Sequence, residues 1–341
     1  MLKVGIVGCG HWGLNHVRIF YCNKSSKIKI CCDRNPSRLK VLSKIYPDLA
    51  VTTNYTKVLN DSEIDAVVIA TPTATHYGLV RAFLLSGKHV LCEKPLVIKK
   101  REAEKLILLA EKKRKTLMSG YVFLFNDGIA ALKKYVNKKG FGRIFYLHFT
   151  RTNLGPIRND VDVIYDLASH DISITSFLLE GWPKSVSANA GFFLRKKVCD
   201  TAFITLYYPG NRLVNIHASW LDPQKIRTLT CVGDKKMAIW NDLSASEPVK
   251  IFDKGIVREP FYSDYSEFQL LPREGAVTNP VIGLTEPLRN QNNHFLNCIN
   301  KNKTPLTDGK FGHNVTVVLE ALRLSLREKG RIQEIKEKYL L

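Results

Sequence analysis

An α/β fold is predicted, in which an N-terminal doubly wound parallel sheet over residues 1–120 precedes an α+β domain over residues 121–341 with a large, mainly antiparallel sheet. Three observations predict it. Short β-branched runs alternate with segments of helical period through the first 120 residues. A G-x-G-x-x-G turn joins the first such run to the first helical segment. After residue 120 the alternation gives way to closely spaced strand-like runs broken by turn signals.

In chain order, strands are expected at 3–7, 28–32, 66–70, 89–92 and 116–119, where valine and isoleucine concentrate. Between the last two, Ala103, Leu106, Ile107 and Ala110 recur on one helical face. Strand–helix alternation of this length implies a parallel sheet covered on both faces, with ligands bound outside the carboxyl ends of the strands. Beyond residue 120 the pattern predicts a helix over 126–139, a strand over 144–152 and part of a helix over 172–179. Between residues 185 and 240, strand-like runs are punctuated by Pro209-Gly210-Asn211 and Gly233-Asp234, the rhythm of antiparallel hairpins. Residues 245–285, rich in Pro, Ser and Gly, are expected to be irregular, as a long arm, and 288–299 and 311–326 to close the chain as helices.

Composition narrows the function. The length of 341 residues exceeds the roughly 100–200 of one ordinary domain, so two domains are expected. Apolar residues at 45% and charged residues at 24% exclude a disordered or fibrous chain. No apolar run approaches the roughly 18 residues of a membrane span. The glycine-rich segment begins by residue 8 and leaves no room for an export signal, so a cytoplasmic protein is expected. Its eight cysteines (Cys9, Cys22, Cys31, Cys32, Cys92, Cys199, Cys231 and Cys298) show no C-x-x-C pair and no zinc spacing, which predicts free thiols and no metal site. Lysine and arginine number 51 against 31 acidic residues, a net charge of +20. Such charge suits nucleic acid, an anionic membrane surface or an acidic small molecule. Because the basic residues are spread thinly, a solvated lysine-rich surface is the first reading, a diphosphate-bearing substrate the next, and nucleic acid the last.

Gly8-Cys9-Gly10-His11-Trp12-Gly13 follows a strand and opens a helix, as a dinucleotide site requires: Gly8 for the tight turn, Gly10 for close approach of the pyrophosphate, and Gly13 for helix–strand packing. The helix N-terminus then offers the phosphates its N–H groups and positive dipole end. Asp33 ends the second strand, 20 residues after Gly13, where a carboxylate binds adenosine ribose hydroxyls and disfavours a 2′-phosphate. NAD is the expected cofactor in this Rossmann-type domain; Arg34 beside Asp33 leaves NADP open.

Three further motifs accompany that turn: Glu93-Lys94-Pro95 after a predicted strand, Ala70-Thr71-Pro72 with His76, and Asp166-x-x-x-His170. Together they resemble the glucose–fructose oxidoreductase / inositol dehydrogenase / rhizopine catabolism (Gfo/Idh/MocA) family over essentially the whole chain. The resemblance implies an NAD(P)-dependent dehydrogenase acting on a CH–OH group of a sugar. It further implies a cis Lys94–Pro95 bond, Lys94 or His170 as the base that removes the hydroxyl proton, and Asp166 to position substrate. The residues themselves agree with this. Lys94 stands at the carboxyl end of a parallel strand, where burial would lower its pKa, and Asp166 and His170 share a face if they begin a helix. His11, Trp12, Thr71, Pro72, His76 and Glu93 are expected along the cofactor, and the remaining histidines in packing or at the surface.

The stretch RTNLGPIRNDVDVIYDLASHDISI is similar to the nucleotide-sugar branch of the family, found with lipopolysaccharide and glycan assembly. That likeness implies oxidation of C3 of a UDP-N-acetylhexosamine, UDP-N-acetylglucosamine foremost, to a 3-keto sugar for a PLP-dependent aminotransferase. Arg151, Asn153 and Arg158 become candidates to hold the diphosphate or sugar hydroxyls, since the guanidinium fork suits phosphate; the alternative is a loop of solvated charges. Ser169 departs from the proline frequent in the branch, and Gln291 from an expected glutamate before His294-Phe295. Homodimers or homotetramers built on the second domain's sheet are implied by the same resemblance. Two other functions remain in view: a dehydrogenase of a free sugar or inositol, and a non-catalytic NAD(P)-sensing regulator, which would not need to keep Lys94, Asp166 and His170.

Overall fold

The computed structural model describes residues 1–158, 160–260 and 268–341. Its strands are β1 (Leu2–Val7), β2 (Ser26–Cys32), β3 (Val51–Thr52), β4 (Ala66–Ile69), β5 (His89–Glu93), β6 (Leu117–Gly120), β7 (Ile144–Leu154), β8 (Ser185–Gly191), β9 (Thr201–Tyr208), β10 (Arg212–Ser219), β11 (Leu221–Gly233), β12 (Met237–Asn241), β13 (Val249–Phe252), β14 (Gly255–Pro260), β15 (Phe268–Arg273), β16 (Val277–Thr278) and β17 (Gln333–Glu334). The α-helices are α1 (His11–Tyr21), α2 (Pro36–Ile45), α3 (Tyr55–Asn60), α4 (His76–Leu85), α5 (Lys100–Lys113), α6 (Asp127–Val136), α7 (Ser169–Leu179), α8 (Pro287–Asn300) and α9 (Gly309–Arg327). Two compact units result: Met1–Phe125 with Thr285–Glu320 and Glu337–Leu341, and Asn126–Leu284 with Ala321–Lys336.

The first unit is built on a six-stranded sheet in the order β3-β2-β1-β4-β5-β6, parallel at every pairing. Its central strand β4 is buried along its whole length, which is why it reads as an unbroken apolar run without alternation. On one face Val67, Ile69, Val90 and Cys92 pack with Val80 and Phe83 of α4 and Leu106 of α5. On the other, Val4, Ile6, Val68 and Leu91 pack with Val17 and Phe20 of α1 and with Phe295 and Leu296 of α8. The outer strand β6 is tied to the segment before α9: the Ser119 N–H donates to the Thr307 carbonyl at 2.7 Å, and Thr307 Oγ1 donates to the Ser119 carbonyl at 2.7 Å. An edge that would otherwise present bare backbone groups is thereby covered.

The second unit holds a nine-stranded sheet in the order β16-β13-β12-β11-β7-β10-β9-β8-β17. The β7–β10 pairing is parallel and its neighbours antiparallel. The irregular arm expected over 245–285 is corrected by the structure where residues are described; 261–267 lie outside the described residues. β13 and β16 extend the large sheet, and β14 pairs antiparallel with β15 as a separate ribbon. Gly255, Pro260 and Pro272 interrupt the local β-signal in these runs. Each proline is tolerated because a two-stranded ribbon leaves every strand an open edge. Among the described residues, no helix is long and apolar enough to cross a membrane, and no group of three or more His, Cys, Asp or Glu side chains could hold a metal ion.

Candidate active site

The glycine turn is shaped by two kinds of constraint. Gly8 adopts φ +93°, and a Cβ there would lie 2.5 Å from the Ala70 carbonyl oxygen; a Cβ on Gly13 would lie 1.8 Å from the Gly8 carbonyl oxygen. Both glycines are thus required by the protein's own packing. Gly10 is different. Its φ of −75° suits any residue, and the nearest atom to a Cβ would be Arg38 Nη1 at 3.7 Å. Nothing within the unit demands a glycine at this position, whereas a pyrophosphate drawn close to the backbone does. Gly10 also precedes α1 without a side chain to cap it, so the first N–H groups of the helix are left for an anion. On both counts the residues present fit a dinucleotide.

Asp33 completes this end of the sheet. Its buried carboxylate accepts the Cys9 N–H at 2.7 Å and the Asn35 N–H at 2.8 Å, and stands 3.3 Å from Arg38 Nη1. One side chain therefore holds both the glycine turn and the start of α2. Arg34 is exposed, and the guanidinium paired with Asp33 belongs to Arg38, four residues further on.

At the next two strand ends, His76 opens α4 with Nδ1 2.9 Å from the Pro95 carbonyl and Nε2 2.9 Å from the Thr71 carbonyl. It ties the turn after β4, which includes Thr71 and Pro72, to the turn after β5. Burial pulls its pKa down against the opposing pull of those carbonyls. Lys94 is buried directly after β5, and the Lys94–Pro95 bond is cis. The Glu93 carboxylate accepts the Lys94 N–H at 3.2 Å through Oε2, and its Oε1 lies 2.9 Å from His16 Nε2. Sequence reasoning placed His16 among packing residues and missed this contact. The available signal was a polar side chain on the face of α1 that also carries Gly13, Val17 and Phe20, because a buried polar group needs a partner. His11 and Trp12, in the first turn of α1, are exposed.

In the second unit, a π-helical turn over Ile164–Ala168 runs directly into α7, so Asp166 and His170 lie on one continuous helical stretch. π-turns inside helices recur at functional sites. Asp166 is held from two sides: Arg158 Nη1 donates to Oδ1 at 3.0 Å and Trp220 Nε1 donates to Oδ2 at 3.2 Å. Arg158 also grips Asp160 at 2.9 and 2.6 Å. Burial weakens its charge, but the two carboxylates outweigh burial and hold the guanidinium more firmly protonated than usual.

Arg151 requires a correction. Its side chain is 3% exposed and makes a forked pair with Asp171, 1% exposed, at 2.7–3.0 Å. A guanidinium so enclosed is committed to the interior, and the expectation that it contacts a diphosphate is withdrawn. Asn153 is half-buried on β7. Ser169 satisfies its hydroxyl on the Tyr165 carbonyl at 2.8 Å. Gln291 is fully buried in α8, and neither amide atom has a hydrogen-bond partner among the described residues; a glutamate there would bury a charge at greater cost.

With this geometry in place, residues 2–121 match the GFO/IDH/MocA oxidoreductase family by its NAD-binding Rossmann fold, and residues 129–239 match the GFO/IDH/MocA C-terminal domain. The chain belongs to this family. It is an oxidoreductase, and its cofactor is NAD. Among GFO/IDH/MocA relatives, the UDP-N-acetylglucosamine 3-dehydrogenase of Acidithiobacillus ferrooxidans is 26% identical over 334 residues, covering 95% of this chain and 97% of that protein. The inositol 2-dehydrogenase of Rhizobium meliloti is 27% identical over 206 residues, covering 58% of this chain and 61% of that protein. A solved structure of the Acidithiobacillus enzyme has a TM-score of 0.80 at 23% identity, covering 96% of this chain and 98% of that one. An oxidoreductase from Agrobacterium radiobacter, solved with NAD+, L-tartaric acid and magnesium, has a TM-score of 0.82 at 19% identity and covers 98% of each chain. These structures share the fold.

Proposed function

We propose that this oxidoreductase oxidises the C3 hydroxyl of a UDP-N-acetylhexosamine, UDP-N-acetylglucosamine foremost, to the 3-keto sugar. The supporting observation is the likeness to a UDP-N-acetylglucosamine 3-dehydrogenase along 95% of this chain and 97% of the relative, where the match to an inositol 2-dehydrogenase stops at 58% and 61%. When bound, NAD supplies the acceptor for the hydride. The protein's part is binding, orientation and proton movement. Gly10 and the start of α1 receive the pyrophosphate, Asp33 the adenosine ribose, and His11, Trp12, Thr71 and Pro72 line the remainder. Lys94 or His170 takes the proton from the substrate hydroxyl as the C–H bond breaks. Asp166, its carboxylate fixed by Arg158 and Trp220, orients a sugar hydroxyl, and Asn153 and Arg158 are the remaining substrate contacts. A 3-keto product suits a PLP-dependent aminotransferase as the next enzyme, and a homo-oligomer is the proposed assembly.

The test is NADH formation from NAD and UDP-N-acetylglucosamine, with a 3-keto-sugar aminotransferase and glutamate added to draw the product forward. A signal that depends on the UDP-sugar is expected. Oxidation of myo-inositol or free glucose, with no turnover of any UDP-hexosamine, would overturn the proposal in favour of a free-polyol dehydrogenase. The inositol 2-dehydrogenase likeness is the observation behind that second reading.

A further inference from the structure

One polar chain in the first unit serves no step described above. His16, inside α1, is fully buried, with Nδ1 3.1 Å from Asn292 Oδ1 of α8 and Nε2 2.9 Å from Glu93 Oε1 at the end of β5. Glu93 is in turn bonded through Oε2 to the N–H of Lys94. Three elements distant in sequence thus converge on the residue that precedes the proposed proton acceptor. The imidazole thus bridges the Asn292 side-chain amide and the Glu93 carboxylate through its two ring nitrogens. Gly120 closes the remaining side, since a Cβ there would stand 3.2 Å from Glu93 Cδ.

Packing alone does not explain this arrangement. The same face of α1 carries Val17 and Phe20 in the apolar core, and an apolar side chain at position 16 would spare the burial of an imidazole, an amide and a carboxylate together. Nor does the network reach solvent as an exposed ion pair would, since His16 and Asn292 are enclosed and Glu93 nearly so. What it does is hold Glu93 at a single position, and Glu93 holds the amide of Lys94.

We infer that His16 and Asn292 are positioning residues of this oxidoreductase. By clamping Glu93 they fix the backbone of the turn from which Lys94 extends, without touching the reacting atoms themselves. The inference rests on the proposed role of Lys94 and is independent of which sugar is oxidised.

Its first test needs no substrate. Amide hydrogen exchange at Lys94 in the full-length protein is expected to quicken at least tenfold in His16→Leu. It should return to within threefold of wild type in His16→Gln, whose amide N–H can still reach Glu93. Turnover provides the second test, with UDP-N-acetylglucosamine, or with myo-inositol if that is what the wild type oxidises. His16→Leu is expected to lower kcat at least tenfold while KM and NADH affinity stay within threefold, and His16→Gln to recover most of the loss. If His16→Leu does not fold, Asn292→Leu is measured in its place, with the same direction and a smaller effect expected. Unchanged Lys94 exchange in the leucine variant would overturn the inference, as would a loss that His16→Gln fails to restore. Wild-type turnover in Lys94→Ala would overturn it too, by removing the residue being positioned. A wild type active on myo-inositol alone would refute the UDP-sugar reading and leave both tests intact.

Discussion

Gly10 and Gly13 stand three residues apart in one turn, yet alanine should act on them in opposite ways. At Gly10 the backbone already adopts φ −75° and ψ −161°, angles open to alanine, and the added methyl would approach nothing nearer than 3.7 Å. Removing a glycine's freedom from the unfolded chain at a compatible site stabilises by about 0.4–1 kcal/mol, so Gly10→Ala should melt no lower than wild type. The same methyl would occupy the approach path of the pyrophosphate, and NADH affinity should fall at least tenfold, about 1.4 kcal/mol. At Gly13 the methyl would lie 1.8 Å from a backbone oxygen, so helix or turn must shift, at a cost of about 1–3 kcal/mol or more that lowers Tm directly. Thermal melting without cofactor and NADH titration by fluorescence separate the two effects. If Gly10→Ala bound NADH within threefold of wild type, or lost as much Tm as Gly13→Ala, the assignment of Gly10 to the cofactor would fail.

Three other outcomes follow from the geometry. Lys94→Ala should lower kcat by about 10²–10⁴-fold with NADH binding kept, and near-normal turnover would exclude Lys94 as the proton carrier. Asp171→Ala removes the carboxylate paired with the buried Arg151 guanidinium and should cost about 3–5 kcal/mol in denaturant unfolding; a loss below about 1 kcal/mol would show that the pair is not enclosed as described. Burial, aided by the charge of Lys115, holds the His89 imidazole down at about 4, and its Nδ1 accepts the Thr116 N–H at 3.0 Å, which requires the neutral ring. An unfolded histidine binds its proton near about pH 6.5. The stability His89 contributes is therefore complete above that pH and is lost as the pH falls from about 6.5 towards about 4. Tm should decline across this window in the wild type and less steeply in His89→Gln; equal slopes would refute the assignment.

Much of the first unit is legible in the linear chain because its signals are local. β4 is a continuous apolar run, the glycine turn lies within six residues, and Asp33 directly follows β2 where the motif requires an acid. The remainder depends on partners far apart in sequence. A bare arginine in a polar stretch looks the same whether it faces solvent or pairs inside; Arg151 is decided by Asp171, which the turn and helix between them bring back to β7. His16 is decided by Asn292, 276 residues away. β3 has two residues and β16 two, too short for any periodicity to register. Pro260 in β14 and Pro272 in β15 break the local strand signal, and the open edges of a two-stranded ribbon make them harmless. The second unit's site was legible to a similar degree. The D-x-x-x-H spacing marked the helix, but the indole of Trp220, which fixes one oxygen of Asp166, comes from the junction of β10 and β11 and carries no local motif.

The return of α8 to the first unit bears on how this protein is made. Synthesis delivers β1 to β6 well before Phe295 and Leu296, which complete the packing on the α1 side of the sheet, and before Thr307, which covers the edge of β6. Until those residues emerge, a nascent sheet would expose an apolar face and an unpaired strand, the surfaces that chaperones bind and that aggregation exploits. A fragment ending at residue 125 is therefore not a portable cofactor-binding module. A chimera that exchanges nucleotide specificity between relatives must move both stretches of chain or accept a half-built interior.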